Sequence, residues 1–238
     1  MKIVKGIPNT ITSMNLLCGA LGVIIALQGS LDIAFYLMLA GALCDFCDGL
    51  AARLLKAYSP MGKELDSLAD LITFGLLPSI MLYKCMDIYH PGEWACYLPL
   101  MIAVFSALRL AKFNIDERQS ENFLGLATPA CAMICGSFAV IAHYDINNIV
   151  GVFTEHIWMI PVSSAILSLL LVSEIPMFSM KFKKDSSADL KWMRISFLVV
   201  SAAAFAITMA LGQHFSHAVL FIFVAYILMN LVHAVIKK

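Results

Sequence analysis

Asp45, Asp48, Asp66 and Asp70 are the residues whose type and spacing could do chemistry. The first pair sits in Asp45-Phe-Cys-Asp48-Gly49-Leu-Ala-Ala52-Arg53. After eight intervening residues comes Gly62, followed by Asp66 and Asp70. Residues three or four apart share a face of a helix. Asp45, Asp48 and Ala52 therefore line one face, and Gly62, Asp66 and Asp70 line a face of the next helix. The link Ala57-Tyr-Ser-Pro-Met61 is short, so the two helices are antiparallel neighbours and their acidic faces can meet. Four carboxylates in one place cannot all stay ionised without cations. Hard divalent ions with oxygen ligands answer that need, Mg²⁺ or Mn²⁺, and two of them. Such a site suits displacement at phosphorus. The metals neutralise a diphosphate, and one acid stays free to take a proton from an attacking hydroxyl. Gly49, Ala52 and Gly62 allow close helix approach or leave room for a flat substrate group. Arg53 can hold a phosphate with its fork of donors.

The elements that position these acids are membrane helices. The chain has 238 residues, 61% hydrophobic and 13% charged, with a mean hydropathy of +0.86. A soluble domain is about 25% charged. The expected fold is an all-α polytopic membrane protein. Spans of about 20 apolar residues fall near 9–28, 33–55, 63–84, 94–113, 122–143, 156–180, 194–212 and 216–236. The markedly polar connection at 181–191 divides six helices, residues 1–180, from a basic loop and terminal pair, 181–238. Acids at membrane depth cost several kcal/mol and usually carry function. Beside lipid, the phosphate donor is expected to be a lipid.

Charge distribution orients the bundle. With the N-terminus in the cytoplasm, 15 of the 16 Lys and Arg residues fall at cytoplasmic ends or loops and only Lys84 falls outside. Both termini are then cytoplasmic, and the acidic motif opens to the cytoplasm from the inner leaflet. Net charge is zero, which gives no basic field for nucleic acid.

Rival readings of the acids are a cation-coupled transporter and structural ion pairing with Arg53 and Lys63. Acids outnumber nearby bases, which weakens the second. Cys44-x-x-Cys47 lacks the βαβ context of a redox centre. Most of the seven cysteines lie in apolar runs as small hydrophobes; Cys85 and Cys96 flank one loop. Arg109, Lys112 and Asn114 end the fourth helix. They are either positive-inside anchors or a cationic and amide pocket for a phosphate or an acceptor carboxylate. Asn9 and Thr12 are either a helix cap or nucleotide contacts. Pro161 and Pro176 are expected to kink the sixth helix, Trp94, Trp158 and Trp192 to anchor span ends, and His214 and His217 to be solvated. The basic loop 181–194 either signals topology or touches anionic headgroups.

The pattern Asp-x₂-Asp-Gly-x₂-Ala-Arg-x₈-Gly-x₃-Asp-x₃-Asp is complete at Asp45, Asp48, Gly49, Ala52, Arg53, Gly62, Asp66 and Asp70. It resembles the signature of the CDP-alcohol phosphatidyltransferases. Pro8-Asn9-Thr-Ile-Thr12 resembles that family's start. Leu65 to Pro78, Arg109-Leu-Ala-Lys-Phe-Asn114 and Phe123 to Pro129 resemble the bacterial membrane-bound branch whose acceptor is L-serine. Lys112 replaces an expected arginine there, and Ala127-Thr128 replaces a Leu-Pro type of sequence. The resemblance implies a six-helix catalytic bundle, usually a homodimer. It implies that Asp45, Asp48 and Asp66 bind two metals, that Asp70 contacts metal and serves as the base, and that Gly49, Ala52 and Arg53 lie by the CDP moiety. The implied reaction converts CDP-diacylglycerol and L-serine to phosphatidylserine and CMP; glycerol 3-phosphate or inositol are the alternative acceptors.

Overall fold

Apolar helices account for nearly all of the backbone in a computed structural model that describes residues 2–115, 123–144, 149–178 and 188–236. Helix α1 (Lys2–Leu27) turns at Gly29, φ +93°, into α2 (Leu31–Leu54). The three-residue turn makes the two helices antiparallel, and they pack along their length. Ser59 then caps α3 (Pro60–Asp70), its hydroxyl accepting from Gly62 N at 3.0 Å, with Pro60 in the first turn. Both features fix a helix start. Beyond Asp70 the helix widens to a π-helical stretch, Leu71–Leu76, and continues as α4 (Leu77–Tyr89). The whole Pro60–Tyr89 rod is one 30-residue span.

The widened stretch is the packing centre of the first three spans. An added Cβ at Gly41 would come within 2.6 Å of Thr73 Cγ2 and 2.9 Å of Asn15 Oδ1, and one at Gly19 would strike Thr73. Small residues let three backbones converge there, the usual device where no hydrophobic drive exists between helices.

A 3₁₀ turn, Trp94–Leu100, leads into α5 (Met101–Ile115). Then follow strand β1 (Phe123–Leu124), α6 (Thr128–Tyr144), the short α7 (Ile149–Glu155), α8 (Met159–Val172) and strand β2 (Pro176–Met177). The chain ends in α9 (Ala188–Ala210) and α10 (Ser216–Ile236). Helix α6 is buried almost throughout and packs on α2, α4 and α10. Strands β1 and β2 form a two-residue antiparallel ribbon, Phe123 opposite Met177. Asn230 of α10 clamps it, accepting from Phe178 N at 2.8 Å, while Tyr226 donates to Phe178 O at 3.1 Å.

All eight expected helices are present, with shifted bounds. Among the described residues six are long and apolar enough to cross a membrane: Gly6–Leu27, Leu31–Leu54, Pro60–Tyr89, Trp94–Ile115, Lys191–Ala210 and Ser216–Ala234. The protein is an integral membrane protein. The fifth and sixth spans are shorter than expected. The 17 residues of α6 rise about 25 Å and the 14 of α8 about 21 Å, against a hydrocarbon core of about 30 Å. Protein rather than lipid surrounds most of α6, which relaxes that length requirement. Pro176 kinks no helix: α8 has ended, and Pro176 lies in β2, while Pro161 sits harmlessly in the first turn of α8.

The histidines also differ from expectation. His217 is buried, and His214 is half-buried between Tyr36 Oη at 3.3 Å and Ser216 Oγ at 2.9 Å. Burial and the neighbouring His217 hold the His214 imidazole below its ordinary range. Cys85 and Cys96 are buried free thiols. Trp94, Trp158 and Trp192 are exposed, as interfacial anchors are. Arg118, Lys181, Lys183, Lys184, Lys237 and Lys238 lie outside the described residues, and with them most of the basic loop.

Gly125 gives the fold a testable joint. Its φ is +76°, its N donates to Ile175 O at 3.0 Å, and a Cβ there would meet Leu171 O at 2.6 Å and Ser173 O at 2.8 Å. Left-handed backbone costs an L residue about 1–2 kcal/mol, and the carbonyl collisions add to it. Gly125→Ala is therefore expected to lower the melting temperature in detergent and to loosen the ribbon. An unchanged melting temperature would show that the turn bears no strain.

Candidate active site

Helix α2 carries Asp45 and Asp48 one turn apart, and α3 brings Asp66 opposite them. One carboxylate oxygen from each lies within 4.8 Å of the other two. Asp48 is buried and Asp45 and Asp66 are half-buried. Helix α1 supplies the support. The Thr12 hydroxyl is 2.5 Å from Asp48 Oδ2 and 3.0 Å from Pro8 O. Its single proton goes to the carboxylate, the stronger acceptor.

Asp70 stands one turn beyond Asp66, outside that tight group. Its Oδ1 accepts from the Asn15 side-chain amide at 3.3 Å. Thr73, in the widened stretch, donates to Asn15 O at 3.0 Å. The segment from Asp70 to Thr73 is thus tied to Asn15 of α1 twice, once through each residue, and such π-helical stretches recur at functional sites.

The donor set fits hard divalent cations. All three grouped side chains offer anionic oxygen. Asp66 Oδ1 is buried with no hydrogen-bond partner, a costly state that a cation relieves. Ligands opposed across one such ion stand about 4 Å apart, close to the spacing present.

The other expected residues divide into two groups. An added Cβ at Gly49 would meet only the Arg53 guanidinium, at 3.7 Å, so space opens beside the acids; Arg53 is exposed and Ala52 half-buried. Gly62 fills a close contact instead, since a Cβ there would lie 3.0 Å from Asn9 Oδ1. Asn9 and Thr12 lie inside α1, not at its start, so neither caps it. On α5, Arg109 is buried, donates to Thr128 Oγ1 at 2.9 Å, and leaves Nε without a partner. It lies within electrostatic reach of Asp70 and Tyr226. Lys112 instead pairs with Glu174 at 3.4 Å near the surface. Asn114 braces α3: its amide donates to Ser67 Oγ at 3.0 Å and its carbonyl accepts from Lys63 at 2.9 Å.

A profile of the CDP-alcohol phosphatidyltransferases matches residues 5–170. The chain belongs to that family. It is 34% identical over 185 residues to the CDP-diacylglycerol--serine O-phosphatidyltransferase of Bacillus subtilis, covering 78% of this chain and 96% of that one. The enzyme of that name from Mycobacterium leprae is 34% identical over 182 residues, 73% of this chain and 58% of its own length. The archaetidylserine synthase of Methanothermobacter thermautotrophicus is 31% identical over 145 residues, 58% of this chain and 60% of its own. The chain thus spans nearly all of one relative and little more than half of the others.

Thr12, Asn15 and Thr128 support the site without having drawn attention as a set. The signal for Asn15 was present: Thr12, Asn15, Gly19 and Gly22 follow the helical period and form one polar and small stripe on α1.

Proposed function

We propose that this phosphatidyltransferase transfers the phosphatidyl group of CDP-diacylglycerol to L-serine, giving phosphatidylserine and CMP. The observation that carries the reaction type is the grouping of three carboxylate oxygens from two helices beside a fourth, separately held acid. The buried guanidinium of Arg109 and the relatives' names support the acceptor.

Asp45, Asp48 and Asp66 would hold two divalent cations, Mg²⁺ or Mn²⁺. When bound, these would neutralise the diphosphate and stabilise the leaving CMP. The resemblance gives Asp70 a metal contact as well; its place at the edge of the group suits the role of base. Asp70 accepts the proton of the serine hydroxyl. The serine oxygen forms a bond to the β-phosphorus, which bears diacylglycerol, and the bond from that phosphorus to the CMP oxygen breaks. The open side at Gly49 and Ala52, with exposed Arg53, receives the CDP moiety, while Asn9 packs at Gly62 and Thr12 holds Asp48. Arg109 holds the serine carboxylate with its fork, as a buried charge without an ion pair among the described residues is suited to do. Lys112 and Asn114 shape the rim through their contacts to Glu174 and Ser67. The positive-inside bias supports a site that opens to the cytoplasm and termini on that side. The resemblance supports a homodimer.

CMP release by detergent-purified protein tests the reading. CDP-diacylglycerol and Mg²⁺ or Mn²⁺ are supplied with serine, glycerol 3-phosphate or inositol in separate reactions. Release with serine alone is expected. Release with another acceptor keeps the mechanism and overturns serine; release with none, beside cation-driven uptake in liposomes, overturns the enzyme reading. Arg109→Lys keeps the charge but not the fork. It is expected to raise the serine KM roughly 10–100-fold, the scale of a hydrogen bond to a charged group, with the KM for CDP-diacylglycerol unchanged. An unchanged serine KM would remove Arg109 from the acceptor pocket.

A further inference from the structure

We propose that Asn15 is a positioning residue for this reaction: it fixes the Asp70 carboxylate so that one oxygen stays free for the acceptor hydroxyl. The inference rests on Asp70 acting as the base.

Asn15 is wholly buried on the polar and small stripe of α1, one turn after Thr12. Its amide nitrogen faces Asp70 Oδ1 at 3.3 Å. A carboxylate can only accept and an amide N–H can only donate, so this orientation is dictated by chemistry. The bond occupies Oδ1 and leaves Oδ2 for a proton. The far side of the amide is left unsatisfied. Asn15 Oδ1 is buried with no partner and is packed against Gly41, where an added Cβ would lie 2.9 Å away. Orphaned buried polar atoms are costly. A residue chosen only to join helices would not leave half of its amide unpaired when an apolar side chain could fill the space. The backbone around it is held too: Thr73 donates to Asn15 O from the stretch immediately after Asp70. Asn15 and Asp70 are therefore linked twice, through Thr73 behind and the amide in front. The division of labour on α1 is clear. Thr12 serves Asp48, within the group that fits metal, and Asn15, one turn on, serves the acid left outside it.

The test is a double-mutant cycle on purified, folded protein, read as CMP release with serine. Asn15→Ala is expected to lower kcat about 10–100-fold, the range for loss of a residue that orients an active group. The KM for CDP-diacylglycerol, the Mn²⁺ concentration dependence and the melting temperature should stay close to those of the parent. Asp70→Asn alone is expected to lose far more. Adding Asn15→Ala to Asp70→Asn should then cost less than about 2-fold further, because residues acting as a unit are not additive. A structural role predicts the opposite: the two losses multiply, and the melting temperature falls. Multiplied losses, or normal kcat in Asn15→Ala beside an inactive Asp70→Asn, overturn the inference alone. Normal kcat in Asp70→Asn overturns the base assignment itself and the inference with it. If Asn15→Ala yields no folded protein, Thr73→Val takes its place, since it removes only the hydroxyl that holds the Asn15 carbonyl. The same non-additivity with Asp70→Asn is then expected, and multiplied losses or a normal kcat overturn the inference.

Discussion

Asp66→Asn is expected to cut CMP release on the order of 10³-fold, the scale on which removal of a transition-state electrostatic stabiliser acts, without unfolding the protein. The substitution keeps the shape of the side chain and removes its charge. In the metal-free protein that change relieves repulsion among three carboxylates whose oxygens lie within 4.8 Å. It also removes the cost of a buried anionic oxygen with no partner. The melting temperature of the metal-free variant should therefore equal or exceed that of the parent. Added Mn²⁺ separates the two proteins. A ligand at a hundred times its dissociation constant stabilises the folded state by about 2.7 kcal/mol. The parent should show such a shift and the variant should lose most of it. A variant that turns over near the parent rate with an unchanged metal requirement would take Asp66 out of the metal site. Asp45→Asn and Asp48→Asn should behave alike, since the carboxamide oxygen of an asparagine at 48 can still accept from Thr12.

The acids could be read from sequence because expense makes them conspicuous. A carboxylate within a membrane span is rare, and a spacing of three and four residues leaves one way to share a face. Their supports were harder to read. Asn15 is one amide in an apolar run, and nothing in its neighbours says that its partner lies 55 residues away on another span. Asn9 and Thr12 drew two readings from the sequence, and the extension of α1 back to Lys2 removes the capping one. Lys112 and Asn114 share the end of α5 with Arg109, yet only Arg109 is buried with an unpartnered nitrogen. Spacing along one helix does not say which side chains a neighbouring helix will claim.

The fold divides on the same line. Hydropathy located eight helices because lipid demands an apolar surface over a span. It misjudged α8 because the apolar residues 175–178 follow within three residues of its end, whereas the helix stops where Leu171 O and Ser173 O close around Gly125. An apolar strap buried against α10 and an apolar helix in lipid are the same to a hydropathy average. His217 went astray for a related reason. Its polarity suggested solvent, whereas packing at the turn before α10 buries it beside His214.

Asp70→Asn is expected to lower kcat by about 10³-fold or more, the scale found when one member of a catalytic unit is removed, while leaving binding intact. The geometry makes this a clean substitution. An asparagine at 70 can turn its carbonyl oxygen to the Asn15 amide and keep the bond that Asp70 Oδ1 now accepts. The carboxamide has no basic oxygen to take the proton of serine. The three oxygens of Asp45, Asp48 and Asp66 remain as they were, since Asp70 lies outside their group. The stabilisation by Mn²⁺ should therefore survive, as should the affinity for CDP-diacylglycerol measured by retention of the unreacted lipid. Loss at position 66 removes the metal response and the rate together; loss at position 70 removes the rate alone. An Asp70→Asn protein that turned over normally would have to draw its base from another residue. One that lost the Mn²⁺ response as fully as Asp66→Asn would place position 70 among the ligands, the metal contact that the resemblance implies.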